Sequence, residues 1–415
     1  MIKYLTVSTR NFYKCQKLTE KIFTDKVKSN FALKYFDENY SQHYTPERWQ
    51  MIRLALLSTQ KYAAVINNYS TATKSVVENF QKFGFLNLLT DCSVNSFEPE
   101  ILPQNNITET FQDEIDNDPF NLSEFVPSER INDETDDILS DANRYSCEQN
   151  IPCIDRDLKN YSHMIKVYCH DSGVIGNIKR SPLCENNFLE YYIMDAASIL
   201  PVLALDISME DEVLDLCAAP GGKSFIILQT CLSQHLTCVD VSFKRINRLK
   251  NLLSNVSHSD LLKKIVNVRI GNGTKIQLNQ EFHRVLVDVP CFGDRHVINM
   301  ENDFVYQTKR NRANLIQTQK DLLLNAIKHC KKGGSVVYST CTLSPIQNDG
   351  VVYSVIQNIN KIGHKKCYIV NLKFYKDKQL LGYFKLEKTL YGNIVIPSIK
   401  SNFGPMYISK IYVEN

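Results

Sequence analysis

The chain has 415 residues, 43% hydrophobic and 22% charged, which is enough for one sizeable core plus a smaller domain with an ordinary globular composition. No apolar run is long enough to span a membrane; the nearest, YYIMDAASILPVLALDI, is broken by Asp195 and Pro201. The net charge of +3 conceals 14 acids and a single base, Arg130, between Glu98 and Asp141, so the remainder carries +16, a balance that fits either a polyanion partner or a solvated basic surface.

Thirteen cysteines without CxxC spacing argue against a disulfide framework or a zinc ribbon and for a reducing compartment. Residues 1–26 open with MIKYLTVSTRNFYKCQKLT, which holds Lys3, Arg10, Lys14 and Lys17 and no acid, the composition of a mitochondrial transit segment. Residues 27–90 read as an N-terminal helical region, because Arg48–Leu57 and Gln60–Asn68 carry apolar residues at helical spacing. Residues 91–157 are acidic, rich in Asn and Ser and without a stable period, so they read as a flexible linker or insertion.

Residues 158–415 have a different character. DEVLDLCA, HLTCVDV, VNVRI, HRVLVDV and GSVVYST are β-branched runs with helical patterns between several of them. In ANLIQTQKDLLLNAIKHC the apolar face repeats at Leu315, Ile316, Leu322, Leu323, Ala326 and Ile327, and KKGG follows with cations and glycines suited to a helix end. The pattern predicts an α/β fold with a mostly parallel sheet covered on both faces. YIVNLKFY, GNIVIPS and GPMYISKIYV read as closing strands with an antiparallel edge.

In such a fold ligands bind at the carboxyl ends of the strands, and the unusual residues of this chain fall there. The first strand runs into CAAPGGKS (Cys217–Ser224), whose Pro220, Gly221 and Gly222 make a tight turn before a helix. The turn serves strand–helix packing as readily as an anion. Asp240 ends the second strand, where a carboxylate accepts from two ribose hydroxyls or caps the next helix. The fourth strand ends in DVPC (Asp288–Cys291) and the fifth in STC (Ser339–Cys341), bringing two thiols and a carboxylate to one crevice. The two thiols could equally be a buried pair, a disulfide, which a reducing compartment disfavours, or metal ligands. A two-thiol metal site would need more ligands, and His296 is the only histidine on the same loop, so no metal is expected.

One reaction uses the whole set. Carbon 5 of cytosine is a poor nucleophile until a thiolate adds to carbon 6 and converts the ring to an enamine, which then attacks an electrophilic methyl group. A carboxyl group against ring nitrogen 3 stabilises the adduct, and a second thiol assists release. S-adenosylmethionine would bring a ribose for Asp240 and a carboxylate for the glycine turn.

CAAPGGK, DVPC, STC and YYIMDAASILPVLAL resemble the Sun-type family of RNA cytosine-5 methyltransferases, over roughly residues 187–413. The resemblance implies a Rossmann-like class I S-adenosylmethionine-dependent methyltransferase. It makes Cys341 the nucleophile, Cys291 the thiol that helps release product, and Asp288 the group on the cytosine edge near the cofactor. It places Gly221, Gly222 and Lys223 at the methionine end of the cofactor, with Cys217 and Pro220 in the same binding turn, and Asp240 and Arg245 at ribose and adenine. The family's Asp-Gly pair after the third strand reads Asn272–Gly273 here, so the contact loses its negative charge.

ALKYFDENYSQHY…RWQMIRLALLSTQKYAAVIN, DRH after the PC motif and NFGPMY are similar to the mitochondrial ribosomal-RNA branch. That branch implies a mitochondrial matrix location, a role in ribosome assembly, and an all-helical mTERF-type partner that supplies RNA binding. A branch acting on a mitochondrial transfer RNA, and an assembly factor that binds RNA without methylating it, are the competing readings. KRNR (Lys309–Arg312) lies between the PC loop and the long helix, where Lys309, Arg310 and Arg312 suit RNA phosphates or solvent equally.

Overall fold

The computed structural model describes residues 32–91, 151–156, 164–174, 176–299, 308–363 and 365–414. The expected transit segment 1–26 and most of the acidic stretch 91–157 lie outside the described residues.

The chain begins with two helices, residues 32–40 and Pro46–Leu57. The second starts as its sequence dictates, with Pro46 in the first turn and Thr45 Oγ1 accepting from the Arg48 N–H. The predicted helix over Gln60–Asn68 is not formed. AAVI is instead strand β1 (Ala63–Ile66), buried along its whole length; a short apolar run fits a buried strand as well as a helix, and the partners decide. After the helix Thr73–Lys82 come β2 (Leu86–Asn87) and β3 (Cys153–Ile154), then β4 (Val167–Cys169) and β5 (Tyr191–Met194). β1 pairs antiparallel with both β4 and β5, giving a four-stranded sheet in the order β2-β4-β1-β5. Strands on either side of the boundary expected at residue 158 therefore share one sheet. β3, inside the expected linker, joins the other sheet by pairing with a later strand.

The larger sheet holds β6 (Glu212–Asp215), β7 (His235–Asp240), β8 (Val266–Ile270), β9 (Phe282–Asp288) and β10 (Cys330–Thr340). It is closed by β11 (Lys366–Val370), β12 (Leu386–Lys388), β13 (Asn393–Val395) and β14 (Met406–Glu414). Its order is β12-β13-β14-β10-β9-β6-β7-β8, parallel from β10 to β8 and antiparallel where β14 meets β10. The mostly parallel Rossmann-like sheet with an antiparallel edge is thus present. Strand order reverses between β9 and β6, the switch point at which such sheets bind ligands.

The central strands are apolar on both faces because both are covered. Leu286, Val337 and Ile408 pack into one core with the helices Leu200–Leu205 and Gly222–Gln229. Val285, Val287, Val336 and Tyr338 pack into the other with the helices Lys309–His329 and Val351–Ile362 and with the two N-terminal helices. The KKGG expected to cap the long helix lies within β10 instead. The helix stops at His329, Cys330 is already extended, and the register slips between Cys330 and Ser335 to accommodate the glycines. Lys365 Nζ takes over the capping role, donating to the carbonyls of Ile327, Lys328 and Cys330 at 3.1, 3.0 and 2.8 Å.

Candidate active site

β9 and β10 run parallel and end side by side, so the residues that follow them meet. Cys291 Sγ and Cys341 Sγ are 2.9 Å apart, both as free thiols, and the Cys341 N–H donates to Cys291 Sγ at 3.2 Å. The hydrogen bond to Cys341 pushes the Cys291 thiol well above its ordinary range, with burial and the charge of Cys341 adding to it. Cys341 is exposed to solvent. No group of three or more His, Cys, Asp or Glu side chains arranged for a metal occurs among the described residues.

Asp288 closes the other side. Its Oδ2 lies 2.6 Å from Lys223 Nζ and its Oδ1 accepts from Ser339 Oγ at 2.7 Å. Burial alone would lower the Lys223 ammonium, but Asp288 outweighs it and the net shift is upward, with the charge of Cys341 contributing. Cys217 in the same turn is held protonated, chiefly by burial and then by Asp215 and Asp288.

The glycine turn is built tightly. Gly221 has φ +115°, and a Cβ there would lie 2.7 Å from Leu249 Cδ1, so the position demands glycine for packing as well as conformation. The helix Gly222–Gln229 then presents its amino terminus to the crevice. Asp240 accepts from Ala219 N at 3.2 Å through Oδ2 and from Ser242 N at 2.9 Å through Oδ1. It therefore fixes the turn to the second strand end, while Ser242, not Asp240, caps the helix Phe243–Ser254. Arg245 lies 3.5 Å from Asp240 Oδ2 and donates to the Ala219 carbonyl. Asn272 Oδ1 accepts from Thr274 N and Oγ1 at 3.0 and 2.9 Å, and beside it Gly273 packs where a Cβ would be 2.7 Å from Leu322 Cδ2. Asp215, which ends β6 just before the turn, accepts from Ser224 Oγ at 2.7 Å, and its buried Oδ1 has no partner. Acceptors at Asp215, Asp240 and Asp288, with a cation and helix N–H groups between them, fit a cofactor that carries hydroxyls, an ammonium and a carboxylate.

Several residues that organise this edge went unread in the sequence. Asp294, fully buried, accepts from Tyr40 OH at 3.1 Å and Thr342 Oγ1 at 2.8 Å on Oδ1, and from Leu343 N at 2.8 Å on Oδ2. One carboxylate thereby ties the PC loop, the TC loop and the first helix together. Burial lifts it to about 6, against the pull of its three donors. Gln347, in a π-helical turn at Ile346–Gly350, accepts from Gln319 Nε2 at 3.0 Å and Phe292 N at 3.3 Å. Gln319 also donates to the Pro290 carbonyl at 2.8 Å, so the long helix pins the PC loop. Arg295, the central residue of DRH, donates to carbonyls of Ala55 and Gly404 and to Asn402 Oδ1, which explains the NFGPMY segment as its structural partner. The signal for Asp294 was its place three residues after Cys291, in a motif read only as a mark of kinship.

Lys309–Arg312 form the first turn of the long helix rather than a loop before it. Lys309 and Arg310 are exposed, whereas the Arg312 guanidinium lies 5.2 Å from the centre of the Tyr35 ring.

Comparison with known proteins gives the family. The family described as 16S rRNA methyltransferase RsmB/F matches residues 202–410. The 5-cytosine rRNA methyltransferase NSUN4 of Mus musculus is 31% identical over 99% of this chain and 96% of its own. The mitochondrial tRNA (cytosine(34)-C(5))-methyltransferase of Danio rerio is 36% identical but over 54% of this chain and 60% of its own. Among solved structures, NSun6 from Pyrococcus horikoshii with SFG shares the fold at a TM-score of 0.52 and 17% identity, covering 91% of this chain and 96% of that one.

Proposed function

Since the chain belongs to the RsmB/F family of rRNA methyltransferases, we propose that it methylates carbon 5 of a cytosine in mitochondrial small-subunit ribosomal RNA and so supports ribosome assembly. The observation that carries the chemistry is the pair of thiols 2.9 Å apart beside the Asp288 carboxylate. The Cys341 thiolate adds to carbon 6, forming a carbon–sulfur bond and making carbon 5 nucleophilic. Asp288 engages the ring at nitrogen 3, steadied by Lys223 and Ser339. After carbon 5 is alkylated its proton passes to water, and the electrons left on carbon 5 restore the ring double bond. The carbon–sulfur bond breaks with its pair returning to Cys341 as thiolate, and Cys291 assists that release. S-adenosylmethionine, when bound, supplies the methyl group. Gly221, Gly222 and Lys223 would hold its methionine end, with Cys217 and Pro220 shaping the turn. Asp240 and Arg245 would face the ribose and adenine, with Asn272 and Gly273 beyond them.

Ribosomal RNA is preferred to transfer RNA because the similarity to the ribosomal-RNA enzyme runs through the N-terminal helices, while that to the transfer-RNA enzyme covers about half the chain. A matrix location accords with the basic start of the sequence. The all-helical mTERF-type partner also belongs to this proposal: Met51, Leu54 and Leu57 leave exposed apolar side chains on the helix Pro46–Leu57, a surface suited to another helix. RNA contact by Lys309, Arg310 and Arg312 is the corresponding proposal for the substrate.

The test is transfer of labelled methyl to carbon 5 of cytosine in mitochondrial small-subunit ribosomal RNA, with mitochondrial transfer RNA in parallel, and mapping of 5-methylcytosine with and without the protein. Modification confined to transfer RNA would favour the sister branch. RNA binding without methyl transfer would favour an assembly factor.

A further inference from the structure

At the opposite end of the large sheet from the thiols lies a cavity of about 390 Å³. Pairing across the sheet sets Arg284, Ser335 and Tyr412 side by side in one row, and Lys410 lies in the next row beside Val337. These side chains share a face with Leu286 and Val337, which the helix Leu200–Leu205 covers as apolar core. The helix ends at Asp206, and beyond it the sheet face changes from apolar to cationic. From Ser335 to Cys341 is six residues of extended chain, about 20 Å, so this cavity is separate from the methyl-transfer crevice.

Its lining is built for negative charge. Arg156, Arg284 and Lys410 converge on it, with Asp206 as the acid in the wall. Lys410 is only 6% exposed, and its ammonium is 4.0 Å from Asp206, at the limit of an ion pair. Arg284 is held by Asp211 at 3.2 Å and by the Asp206 carbonyl at 3.1 Å, which fixes its position without neutralising the other two cations. Arg156 lies over the Tyr412 ring, 3.6 Å from its centre. Ser335, 4% exposed, leaves its Oγ with no hydrogen-bond partner although it lines the cavity. A buried hydroxyl without a partner is costly, and an acceptor in the cavity would satisfy it. Burial lowers the Lys410 ammonium to about 8; Asp206 opposes this, and Arg284 and Arg156 deepen it. An anion among the three cations would relieve that repulsion.

We propose that this cavity is a phosphate-binding site in which Arg156, Arg284, Lys410 and the Ser335 hydroxyl take a phosphate group. Phosphate fits better than a carboxylate because a tetrahedral group offers several oxygens to donors arriving from three strands and from the segment just after β3. The group could come from a free phosphate compound or from the backbone of RNA that extends past the crevice, and the chemistry of recognition is the same.

Titration of inorganic phosphate into the full chain in a low-chloride buffer at pH 7 tests the site. Saturable binding is expected, weakened about fivefold by Ser335→Ala and tenfold or more by Arg156→Gln. Arg156 is exposed and its replacement leaves the core intact, so unchanged melting of that variant separates loss of the site from loss of the fold. Displacement of phosphate by a twelve-nucleotide RNA, with weaker RNA binding by Arg156→Gln, assigns the site to the RNA backbone. Phosphate bound undisturbed beside RNA assigns it to a small phosphate compound. No saturable binding, equal affinity in wild type and both variants, or competition between phosphate and S-adenosylmethionine would overturn the proposal.

Discussion

Lys223, in the first turn of the helix Gly222–Gln229, and Asp288, at the end of β9, stand 65 residues apart in sequence, yet their charged atoms lie 2.6 Å apart. The pair joins the glycine turn after β6 to the end of β9, beside the loop that carries Cys291. Lys223→Met removes the cation that steadies Asp288, and Asp288→Asn removes the carboxyl function itself. Each is expected to lower kcat about 10²–10³-fold in single-turnover methylation. An unchanged kcat in Asp288→Asn would remove Asp288 from the chemistry.

The two thiols should separate by variant. Cys341→Ala is expected to abolish methyl transfer and any covalent RNA complex. Cys291→Ala should retain adduct formation and block release, so that a protein–RNA species persists on a denaturing gel. Transfer by Cys341→Ala at the wild-type rate would overturn the assignment of the nucleophile.

Asp294 accepts from Thr342 Oγ1 and from the Leu343 N–H, the two residues that follow Cys341. Asp294→Asn turns an amide toward donors and is expected to cost about 1–3 kcal/mol of stability. Tyr40→Phe removes one donor and should cost about 1 kcal/mol. If the network positions the thiol, both lower kcat and the rate at which Cys341 is alkylated, while KM for S-adenosylmethionine stays unchanged. Stability loss with normal alkylation and kcat would reduce Asp294 to a structural role.

Asp215 makes stability depend on pH. Burial lifts it to about 7; the Ser224 hydrogen bond offsets part of this and the charge of Asp288 adds to it. The unfolded carboxyl ionises near 4, so the folded chain holds the extra proton between roughly pH 4 and 7. The stabilisation is complete at the acid end of that window and is lost as pH rises through about 7, with an upper bound of ~4 kcal/mol. Asp215→Asn should flatten this component, so urea midpoints at pH 5 and pH 8 differ less in the variant than in wild type. Equal differences would refute the assignment.

Lys309 and Arg310 are exposed at the start of the long helix. If they meet phosphates of single-stranded RNA, replacing both with Gln should reduce the slope of log affinity against log salt by about 1.4, measured by fluorescence anisotropy. An unchanged slope would leave them as solvated residues.

The central strands were legible because a parallel sheet covered on both faces must be written in consecutive apolar residues, as in VLVDV and SVVYS. The strand ends were legible because Asp240, Asp288, Cys291 and Cys341 break those runs with functional groups. AAVI was not, since a run of four buried residues has no period of its own and β1 is a strand only because β4 and β5 flank it. KKGG misled because composition near a helix end does not show which residue reaches its carbonyls, and Lys365 arrives from 35 residues away. Asp294 was hidden for the same reason: its donors come from positions 40, 342 and 343.

The bond from Tyr40 to Asp294 reaches outside the stretch, residues 202–410, that identifies the family. A truncation that keeps only that stretch would strip the helix bearing Tyr40 from the thiol loops and leave Arg295 without the Ala55 carbonyl it serves. The heritable signature is thus smaller than the working machine. A recombination event that moved the signature alone would carry the reactive groups into a new protein and leave their alignment behind.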